Sequence, residues 1–208
     1  MNRIRRINFL KLRDVLKNKL RRGEESFSMN KVIFLDRDGT INEDVGDFCS
    51  LDKLKFIPKS LEALKILQDL GFLLIIVTNQ TGINKKIFTE EEFLKFNKEY
   101  LKILSDNNVE IKKVFYCPHL KEENCICRKP KTYFIEIAKQ KYNIDIENSY
   151  TIGDHPHDIE MGFESKAKTI YLLSGHGKKH IKELTVKPNY IAENLYDAAL
   201  WIKKTSNL

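Results

Sequence analysis

Residues 31–40 read KVIFLDRDGT, a short apolar run followed directly by a polar turn. An apolar run of this length predicts a buried strand over residues 31–35. Asp36 and Asp38 come next, two residues apart, where that strand would end. Acidic residues beside a glycine are common in ordinary turns, so the pair has a structural reading as well as a chemical one. In the chemical reading, one carboxylate acts as a nucleophile and the other transfers protons.

Strand and helix patterns alternate through the rest of the chain. Apolar runs predict four more strands, at 72–77, 112–116, 149–152 and 169–173. Helical periodicity predicts helices at about 58–70, 89–106, 132–142, 156–165 and 195–204. We therefore expect an α/β fold, a doubly wound parallel sheet with helices on both faces.

Polar clusters fall where the predicted strands end. The stretch TNQTG begins at Thr78, a Cys/His segment begins at Cys117, and GDHPHD begins at Gly153. In open parallel sheets the ligand site lies beyond the carboxyl ends of the strands, so we expect these clusters to meet. Each cluster alone also fits an ordinary loop, and the basic pair Arg128 and Lys129 alone fits a solvated surface.

The segment between the third strand and the next helix has a metal-binding composition. Residues 117–127 read CPHLKEENCIC and hold three of the four cysteines together with one histidine. Thiolate and imidazole are the ligands that zinc prefers, and four of them leave no open position for water. We therefore predict a structural Zn²⁺ rather than unrelated reduced thiols, with Cys49 a free thiol. The predicted zinc ligands are Cys117, His119, Cys125 and Cys127.

The excess positive charge lies in residues 1–28. The chain carries +7 in total, and this segment has nine Lys and Arg against three acidic residues, or +6, which leaves +1 for the remainder. We predict a basic N-terminal extension over 1–28 and one folded domain over 29–208. The extension fits a solvated tail, a basic amphipathic helix for a membrane surface or partner, or an upstream start codon, because Met29 directly precedes the first strand.

The apolar pattern argues against membrane insertion and secretion. No apolar run approaches the ~20 residues that a spanning helix needs. No apolar segment of the kind found in secretory signals follows the basic N-terminus. We expect a cytoplasmic protein and a monomer.

The polar clusters taken together resemble a known superfamily. DRDGT at 36–40, TNQTG at 78–82, CPH…CICRKP at 117–130 and GD at 153–154 are similar to the motifs of haloacid-dehalogenase-like (HAD-like) phosphatases. The Cys/His segment narrows the resemblance to the branch of D,D-heptose 1,7-bisphosphate phosphatases and histidinol-phosphate phosphatases, over about residues 31–204. The resemblance implies a HAD-like Rossmannoid fold with a minimal cap, since the sequence shows no long insertion.

The resemblance also implies an activity and a set of site residues. It implies Mg²⁺-dependent phosphate removal through an aspartyl-phosphate, with Asp36 as the nucleophile, Asp38 as the acid and base, and Lys129 neutralising charge. Mg²⁺ would bind Asp36, the backbone carbonyl of Asp38, and Asp154. Asp158 is expected to be a helix-start acid rather than a ligand. The implied substrate-binding residues are Asp44, Val45, Gly46, Asp47, Thr78, Asn79, Gln80, Thr81, Arg128, Lys129 and His155.

Two positions depart from the heptose enzymes and keep the substrate open. His155 stands where these enzymes often have Lys, and Asp47 replaces an aromatic residue in their substrate loop. The first expectation is removal of the 7-phosphate of D-glycero-D-manno-heptose 1,7-bisphosphate. The alternative is histidinol phosphate or another small sugar phosphate. We expect His155 and His157 to position the loop or contact substrate rather than to bind zinc.

Two readings outside the enzyme class also compete. The basic extension and the zinc segment fit a nucleic-acid-binding zinc module, but the near-neutral charge of the remaining chain argues against a long basic groove. A catalytically inactive scaffold is the other reading, and the complete set of motif residues argues against it.

Overall fold

The computed structural model describes residues 29–206. Within this range, six parallel strands form one sheet in the order β3-β2-β1-β4-β5-β6. The strands are β1 (Val32–Leu35), β2 (Leu73–Asn79), β3 (Ile111–Cys117), β4 (Tyr150–Gly153), β5 (Lys168–Leu172) and β6 (Tyr190–Ala192). The α-helices are α1 (Ser60–Asp69), α2 (Glu90–Asp106), α3 (Tyr133–Tyr142), α4 (Pro156–Glu164), α5 (Gly177–His180) and α6 (Leu195–Ser206). Short 3₁₀ helices lie at Leu51–Lys53, Lys121–Glu123 and Ile181–Glu183.

The strand order places the centre of the molecule at β1. From β1 the chain moves outward through β2 and β3, and it then returns to β4 on the other side of β1. β1 is buried throughout, and Leu35 pairs with Ile76 of β2 and Ile152 of β4. A crevice forms beyond the carboxyl ends of strands where the order reverses. The residues after β1 and β4 therefore face a ready-made ligand crevice.

Two apolar layers confirm the predicted doubly wound architecture. Along β1 the side chains alternate between the faces of the sheet, so that Ile33 packs in one core and Phe34 in the other. The larger core includes buried residues of α1, α2 and α6, and the smaller one includes Ile135 of α3 and Met161 of α4. Helices thus cover both faces of the sheet.

Helix α2 begins with a reciprocal cap. The Thr89 hydroxyl accepts from the Glu92 N–H at 3.2 Å, and the Glu92 carboxylate accepts from the Thr89 N–H at 2.7 Å. The helix buries Phe93, Phe96 and Tyr100 on one side, at spacings of one and two helical turns. This aromatic face packs around Arg37 in the turn that follows β1.

The predicted strands and α-helices are present with shifted ends, and one further strand and one further α-helix appear. β2 extends to Asn79, so Thr78 belongs to the strand rather than to the loop. The three-residue β6 and the four-residue α5 were not predicted, because segments this short carry too little periodicity. In the part of the chain that the structure describes, no helix combines the length and hydropathy needed to cross a bilayer. The prediction for residues 1–28 lies outside the described residues.

Candidate active site

Three carboxylates and one lysine meet beyond the ends of β1 and β4. Lys129 Nζ lies 2.8 Å from Asp36 Oδ1 and 2.7 Å from Asp158 Oδ1. Carboxylate oxygens of Asp36, Asp154 and Asp158 lie within 4.8 Å of one another. We call these four residues the carboxylate centre. The predicted convergence of Asp36, Lys129 and Asp154 is therefore present in the structure, and Asp158 joins them.

The turn after β1 packs directly against Asp154. Gly39 has φ +80°, and a Cβ at this position would lie 2.2 Å from Asp154 Oδ2. Glycine is therefore required both by the backbone conformation and by the close approach. The Asp154 carboxylate also accepts from the His176 backbone N–H at 2.8 Å and from the Thr40 hydroxyl at 3.4 Å. These contacts fix the side chain of Asp154 against the loop that carries Asp36.

The carboxylate centre holds more negative than positive charge. Burial raises the pKa of Asp36 to about 7, although Lys129 opposes the shift. Burial, with the charges of Asp36 and Asp158, raises the pKa of Asp154 to about 8. Burial alone would lower the pKa of Lys129, but Asp158 and Asp36 outweigh it and raise that pKa. Clustered oxygen ligands with an unbalanced negative charge fit a hard divalent cation such as Mg²⁺.

The Asp38 carboxylate is held by three side chains. It accepts from Arg37 Nη2, Asn42 Nδ2 and Gln80 Nε2, each at 2.8 Å. Burial would raise the pKa of Asp38, but the Arg37 charge and these hydrogen bonds outweigh it and lower that pKa. In the ligand-free protein Asp38 is therefore ionised and fixed in orientation.

A cavity of about 340 Å³ opens beside the carboxylate centre. Ten of the eleven residues that the sequence predicted to bind substrate line it, together with Asp36, Asp38 and Asp154. Val45 is the exception: it does not line the cavity, and 51% of its surface is exposed. Consecutive residues in an extended turn point in different directions, and here Gly46 and its acidic neighbours face the cavity instead. Lys85 and His176 also line it and were not predicted, and His157, which was expected to position the loop or contact substrate, lines it as well.

Residues 43–48, which we call the rim loop, form one side of the cavity. Asp47 accepts from Lys85 Nζ at 2.7 Å and from the Thr81 hydroxyl at 3.3 Å. On the other side Asp44 Oδ2 lies 3.4 Å from His176 Nδ1. The acid that replaces the aromatic residue of the related enzymes is thus paired with a lysine. Neither partner lies near the rim loop in sequence, which is why sequence motifs did not reveal them.

The Cys/His segment forms a compact four-ligand cluster. The sulfurs of its three cysteines lie 3.3–3.6 Å apart, and His119 Nδ1 lies 3.6 Å from Cys117 Sγ and 3.4 Å from Cys127 Sγ. Four ligands about 2.3 Å from a tetrahedral zinc would lie roughly 3.8 Å apart. The donor set and its spacing therefore fit Zn²⁺, and all four predicted ligands are brought together.

The cluster is linked to the residues that follow it. Arg128 Nη1 donates to the carbonyl of His119 at 3.1 Å. The Lys129 N–H donates to Asn79 Oδ1 at 3.2 Å, which ties this segment to the end of β2. Lys129 thus reaches the carboxylate centre from a segment anchored on both sides.

His155 and His157 line the cavity and belong to a group of stacked histidines. The rings of His155 and His157 stack with centroids 4.8 Å apart, and His180 packs on His155 at 4.6 Å. Burial lowers the pKa of His155 to about 4, so its ring is neutral. Within residues 29–206, these histidines do not contribute to either group of potential metal ligands. This placement agrees with a positioning or substrate-contacting role.

Comparison with known proteins gives relatives over nearly the whole domain. A D-glycero-beta-D-manno-heptose-1,7-bisphosphate 7-phosphatase from Pasteurella multocida is 38% identical over 181 residues, covering 84% of this chain and 98% of the relative. An enzyme of the same name from Helicobacter pylori is 36% identical over 176 residues, with coverages of 84% and 98%. The chain belongs to the D-glycero-D-manno-heptose-1,7-bisphosphate 7-phosphatase family.

Family membership confirms the predicted HAD-like phosphatase fold. A HAD-hydrolase-like family profile matches residues 126–198, from the end of the Cys/His segment into α6. The crystal structure of D,D-heptose 1,7-bisphosphate phosphatase from B. bronchiseptica, complexed with magnesium and phosphate, superposes with a TM-score of 0.78 at 24% identity. That match covers 84% of this chain and 99% of the other. The chain is therefore a HAD-type phosphatase of this family, as the motif set predicted.

Proposed function

We propose that the chain removes the 7-phosphate from D-glycero-D-manno-heptose 1,7-bisphosphate and releases inorganic phosphate and heptose 1-phosphate. The observation that carries this proposal is the convergence of Asp36, Lys129 and Asp154 at the mouth of a polar cavity. The relatives of 34–38% identity carry the name of this activity. A phosphatase of another substrate class would share the centre but would differ in the cavity around it.

The first step transfers the phosphoryl group to Asp36. A carboxylate oxygen of Asp36 attacks the 7-phosphorus while the bond from phosphorus to the sugar oxygen breaks. Asp38 gives a proton to that leaving oxygen, so the sugar leaves as an alcohol. Asp38 is ionised in the ligand-free protein, and the negative charge of a bound phosphate beside it favours its protonated form. Lys129 balances charge on Asp36 and on the transferring group.

The second step restores Asp36. Asp38, now a carboxylate, takes a proton from a water molecule whose oxygen attacks the phosphorus of the aspartyl-phosphate. The bond from phosphorus to Asp36 breaks, and inorganic phosphate leaves. The three hydrogen bonds on Asp38 keep its carboxylate in a single orientation through this exchange. The Thr78 hydroxyl and neighbouring N–H groups would bind phosphate oxygens without adding charge.

Magnesium fits the carboxylate centre as the second source of positive charge. Asp36, Asp154 and the backbone carbonyl of Asp38 would hold the ion, because these are the oxygen ligands that it prefers. Bound there, it would reduce the repulsion between the nucleophilic carboxylate and the phosphate dianion. Asp158 already accepts from Lys129 and from the His155 N–H, so its proposed role is to hold Lys129 in place.

The cavity offers groups for the second phosphate of the substrate. Arg128 lines it with a planar guanidinium that suits phosphate, and His155 and His157 add N–H donors nearby. Lys85 also lines the cavity. The relatives include enzymes named for the beta anomer and one named for the alpha anomer, so both anomers are substrates to compare.

Histidinol phosphate is the competing substrate, favoured by one specific feature. Asp44 and Asp47 place two acidic side chains on the rim loop, and such groups suit a substrate amine better than a second phosphate. Asp47 is already paired with Lys85, and Asp44 lies 3.4 Å from His176 Nδ1, which reduces this attraction. We therefore place the bisphosphate first.

Steady-state kinetics with Mg²⁺ test the proposal. We expect the largest kcat/KM for a heptose 1,7-bisphosphate, with one equivalent of phosphate released and the anomeric phosphate retained in the ³¹P NMR spectrum. Histidinol phosphate and both anomers are compared at equal concentration, because specificity is a ratio of kcat/KM values. A higher kcat/KM for histidinol phosphate would transfer the proposal to that substrate, and full activity of Asp36→Asn would reject the mechanism.

We propose that the zinc is structural and that the catalytic domain does not include the basic N-terminal extension. The Cys/His segment would hold Zn²⁺ with no open position and order residues 117–131 around it. Three thiols in one ligand set are typical of a reducing compartment, which supports a cytoplasmic location.

Residues 29–208 would be the catalytic domain, working as a monomer. The basic residues 1–28 would be an extension not needed for the chemistry.

A further inference from the structure

The guanidinium of Arg37 is buried in an unusual environment. Only 1% of its surface is exposed, although it carries a full charge. Its Nε lies 3.1 and 3.2 Å from the two oxygens of Asp38, and its Nη2 lies 2.8 Å from Asp38 Oδ2. Two nitrogens of one planar group thus contact one carboxylate, the arrangement that best restricts both partners.

Four aromatic rings enclose the rest of the guanidinium. Its Cζ lies 5.3 Å from the ring centroid of Phe96, 5.8 Å from those of Phe48 and Phe93, and 5.9 Å from that of Tyr100. Three of these rings belong to the buried face of α2, and Phe48 ends the rim loop. Each distance is within the range of a cation–π interaction. We call these four rings the aromatic cage.

The aromatic cage is a costly way to fill a core. Arg37 Nη1 and the Tyr100 hydroxyl are both buried without a hydrogen-bond partner within the described residues. A buried ion pair is often no more stabilising than apolar residues of similar size, and unpaired buried donors make it worse. The arrangement therefore has poor value as packing. Its strong effect is on the orientation of the single carboxylate that it contacts.

We propose that Arg37 is a positioning residue that holds the Asp38 carboxylate ready for its two proton transfers, with the aromatic cage holding Arg37. The inference rests on the proposed function, because that function assigns those transfers to Asp38. Gln80 and Asn42 contact Asp38 from other directions. Arg37 supplies two of the contacting nitrogens and is itself fixed by α2 and the rim loop. Through it, α2 contributes to catalysis without touching the substrate.

An activated aryl phosphate separates this role from a general structural one. The leaving group of 2,4-dinitrophenyl phosphate needs no proton, so formation of the aspartyl-phosphate from it does not depend on Asp38. Hydrolysis of the aspartyl-phosphate still needs Asp38 as the base. A displaced Asp38 should therefore give a normal burst of dinitrophenol followed by slow turnover.

Arg37→Lys is the variant to test, since it keeps the charge and removes the planar fork. We expect the burst rate to stay within about threefold of wild type and the steady-state rate to fall roughly 10²-fold, the size of an acid–base contribution. In the Asp38→Asn background the same substitution should add little, because residues acting through one another are not additive. Equal slowing of both phases, an unchanged steady state, or full additivity with Asp38→Asn would overturn the inference.

A second variant covers the case in which Arg37→Lys does not fold. Phe96→Leu removes the nearest ring of the cage, and Phe115→Leu removes a buried ring from the core on the other face of the sheet. At matched loss of Tm, we expect Phe96→Leu to slow steady-state turnover at least about fivefold more than Phe115→Leu, with the burst rate preserved. Equal effects of the two variants would overturn the inference.

Wild-type kinetics separate this inference from the proposed function. A wild-type chain that releases phosphate from no ester in the presence of Mg²⁺ would defeat the proposed function and the inference together. An active wild type whose Arg37 and Phe96 variants lose both phases equally would defeat the inference alone.

Discussion

The carboxylate centre and the Cys/His segment are two ligand clusters that differ in every property relevant to catalysis. The first offers carboxylate oxygens, lies beside a 340 Å³ cavity and carries unbalanced negative charge. The second offers three sulfurs and one imidazole nitrogen, with all four atoms directed at one another. Oxygen ligands beside a cavity suit a cation that must share its coordination with substrate, whereas a closed thiolate set suits one that only holds the chain. The comparison indicates that the carboxylate centre carries out the reaction, whereas the Cys/His segment holds the chain that supports it.

The two clusters meet in one short segment. Arg128 hydrogen bonds to the Cys/His segment, and Lys129, the next residue, enters the carboxylate centre. Loss of the ligands in the Cys/His segment should therefore reduce activity only by displacing Arg128 and Lys129. Loss of the carboxylates in the carboxylate centre should abolish activity and leave the fold intact.

The largest expected effect is that of Asp36→Asn. We expect kcat to fall at least about 10⁴-fold, because no nucleophile remains. At pH 8 without added Mg²⁺, the Tm should be no lower than that of wild type, since the charge removed is one that burial disfavours. Phosphate-release assays and thermal unfolding of the same samples measure both effects. An Asp36→Asn variant that is inactive because it is unfolded would contradict the view that the carboxylate centre serves catalysis and not the fold.

The next largest effect is that of Cys125→Ser, which tests the structural role of the Cys/His segment. We expect zinc content to fall, Tm to fall by more than ~10 °C, and kcat/KM to fall with it, because a structural zinc contributes several kcal/mol to local order. Added Mg²⁺ should not restore the Tm. Cys49→Ser is the matched control, as Cys49 lies outside the cluster and should keep its zinc. Metal analysis, with a Tm for each variant, provides the measurement; an unchanged Tm in a zinc-free variant would contradict the structural role.

The pH dependence of magnesium binding gives a smaller effect that belongs to the carboxylate centre alone. The folded-state pKa values of Asp36 and Asp154, about 7 and about 8, lie above their unfolded values. The metal-free fold therefore binds more protons than the unfolded chain, so these two groups lower its stability as pH rises from about 4 through about 8. Magnesium must displace those protons, so its apparent affinity should rise between pH 6 and pH 8.5, by up to about tenfold per pH unit for each proton released.

Calorimetric titration of Mg²⁺ at pH 6.0, 7.0 and 8.5 measures this affinity directly. Asp36→Asn should reduce the slope, since one of the two titrating carboxylates is gone. An affinity independent of pH would show that the centre does not hold excess protons, and that its carboxylates are not crowded as described.

The smallest expected effect is at the rim loop. Lys85 and Asp47 are partly exposed, and such pairs contribute only about 0.2–1 kcal/mol to stability. Reversing one charge, as in Lys85→Glu, should raise KM a few-fold with kcat and Tm unchanged. The double exchange, Lys85→Glu with Asp47→Lys, should restore KM if the pair serves to hold the loop. A persistently high KM would instead indicate that Lys85 contacts the substrate directly.

Local residue patterns predicted most of the carboxylate centre. Strand ends predicted that the segments carrying Asp36 and Asp154 would meet, because parallel strands bring their carboxyl ends to one edge, and the resemblance to the HAD-like motifs implied the roles of Asp36, Lys129 and Asp154. The four candidate zinc ligands were predicted from residue type and spacing, because four such residues within eleven positions need no tertiary information to be recognised. Motifs and ligand spacings of this kind involve residues close together in the chain, so they can be recognised in the sequence without a structure.

Contacts between distant segments required the structure. Arg37 reads as a spacer between two acids, and its cage forms only when α2 packs against the turn after β1. The Lys85–Asp47 pair joins residues that are 38 positions apart. The exclusion of Val45 from the cavity depends on the way the rim loop turns.

The amino-acid sequence by itself thus predicted the alternating fold and the residues of both ligand clusters except Asp158, because periodicity and short motifs are local properties of a chain. Only the tertiary structure decided which side chains hold Asp38, which acid pairs with Lys129 beside Asp36, and which residues close the rim of the cavity. Those pairings arise from packing of helices and loops against the sheet, where the partners are selected by shape and burial rather than by neighbourhood in the sequence.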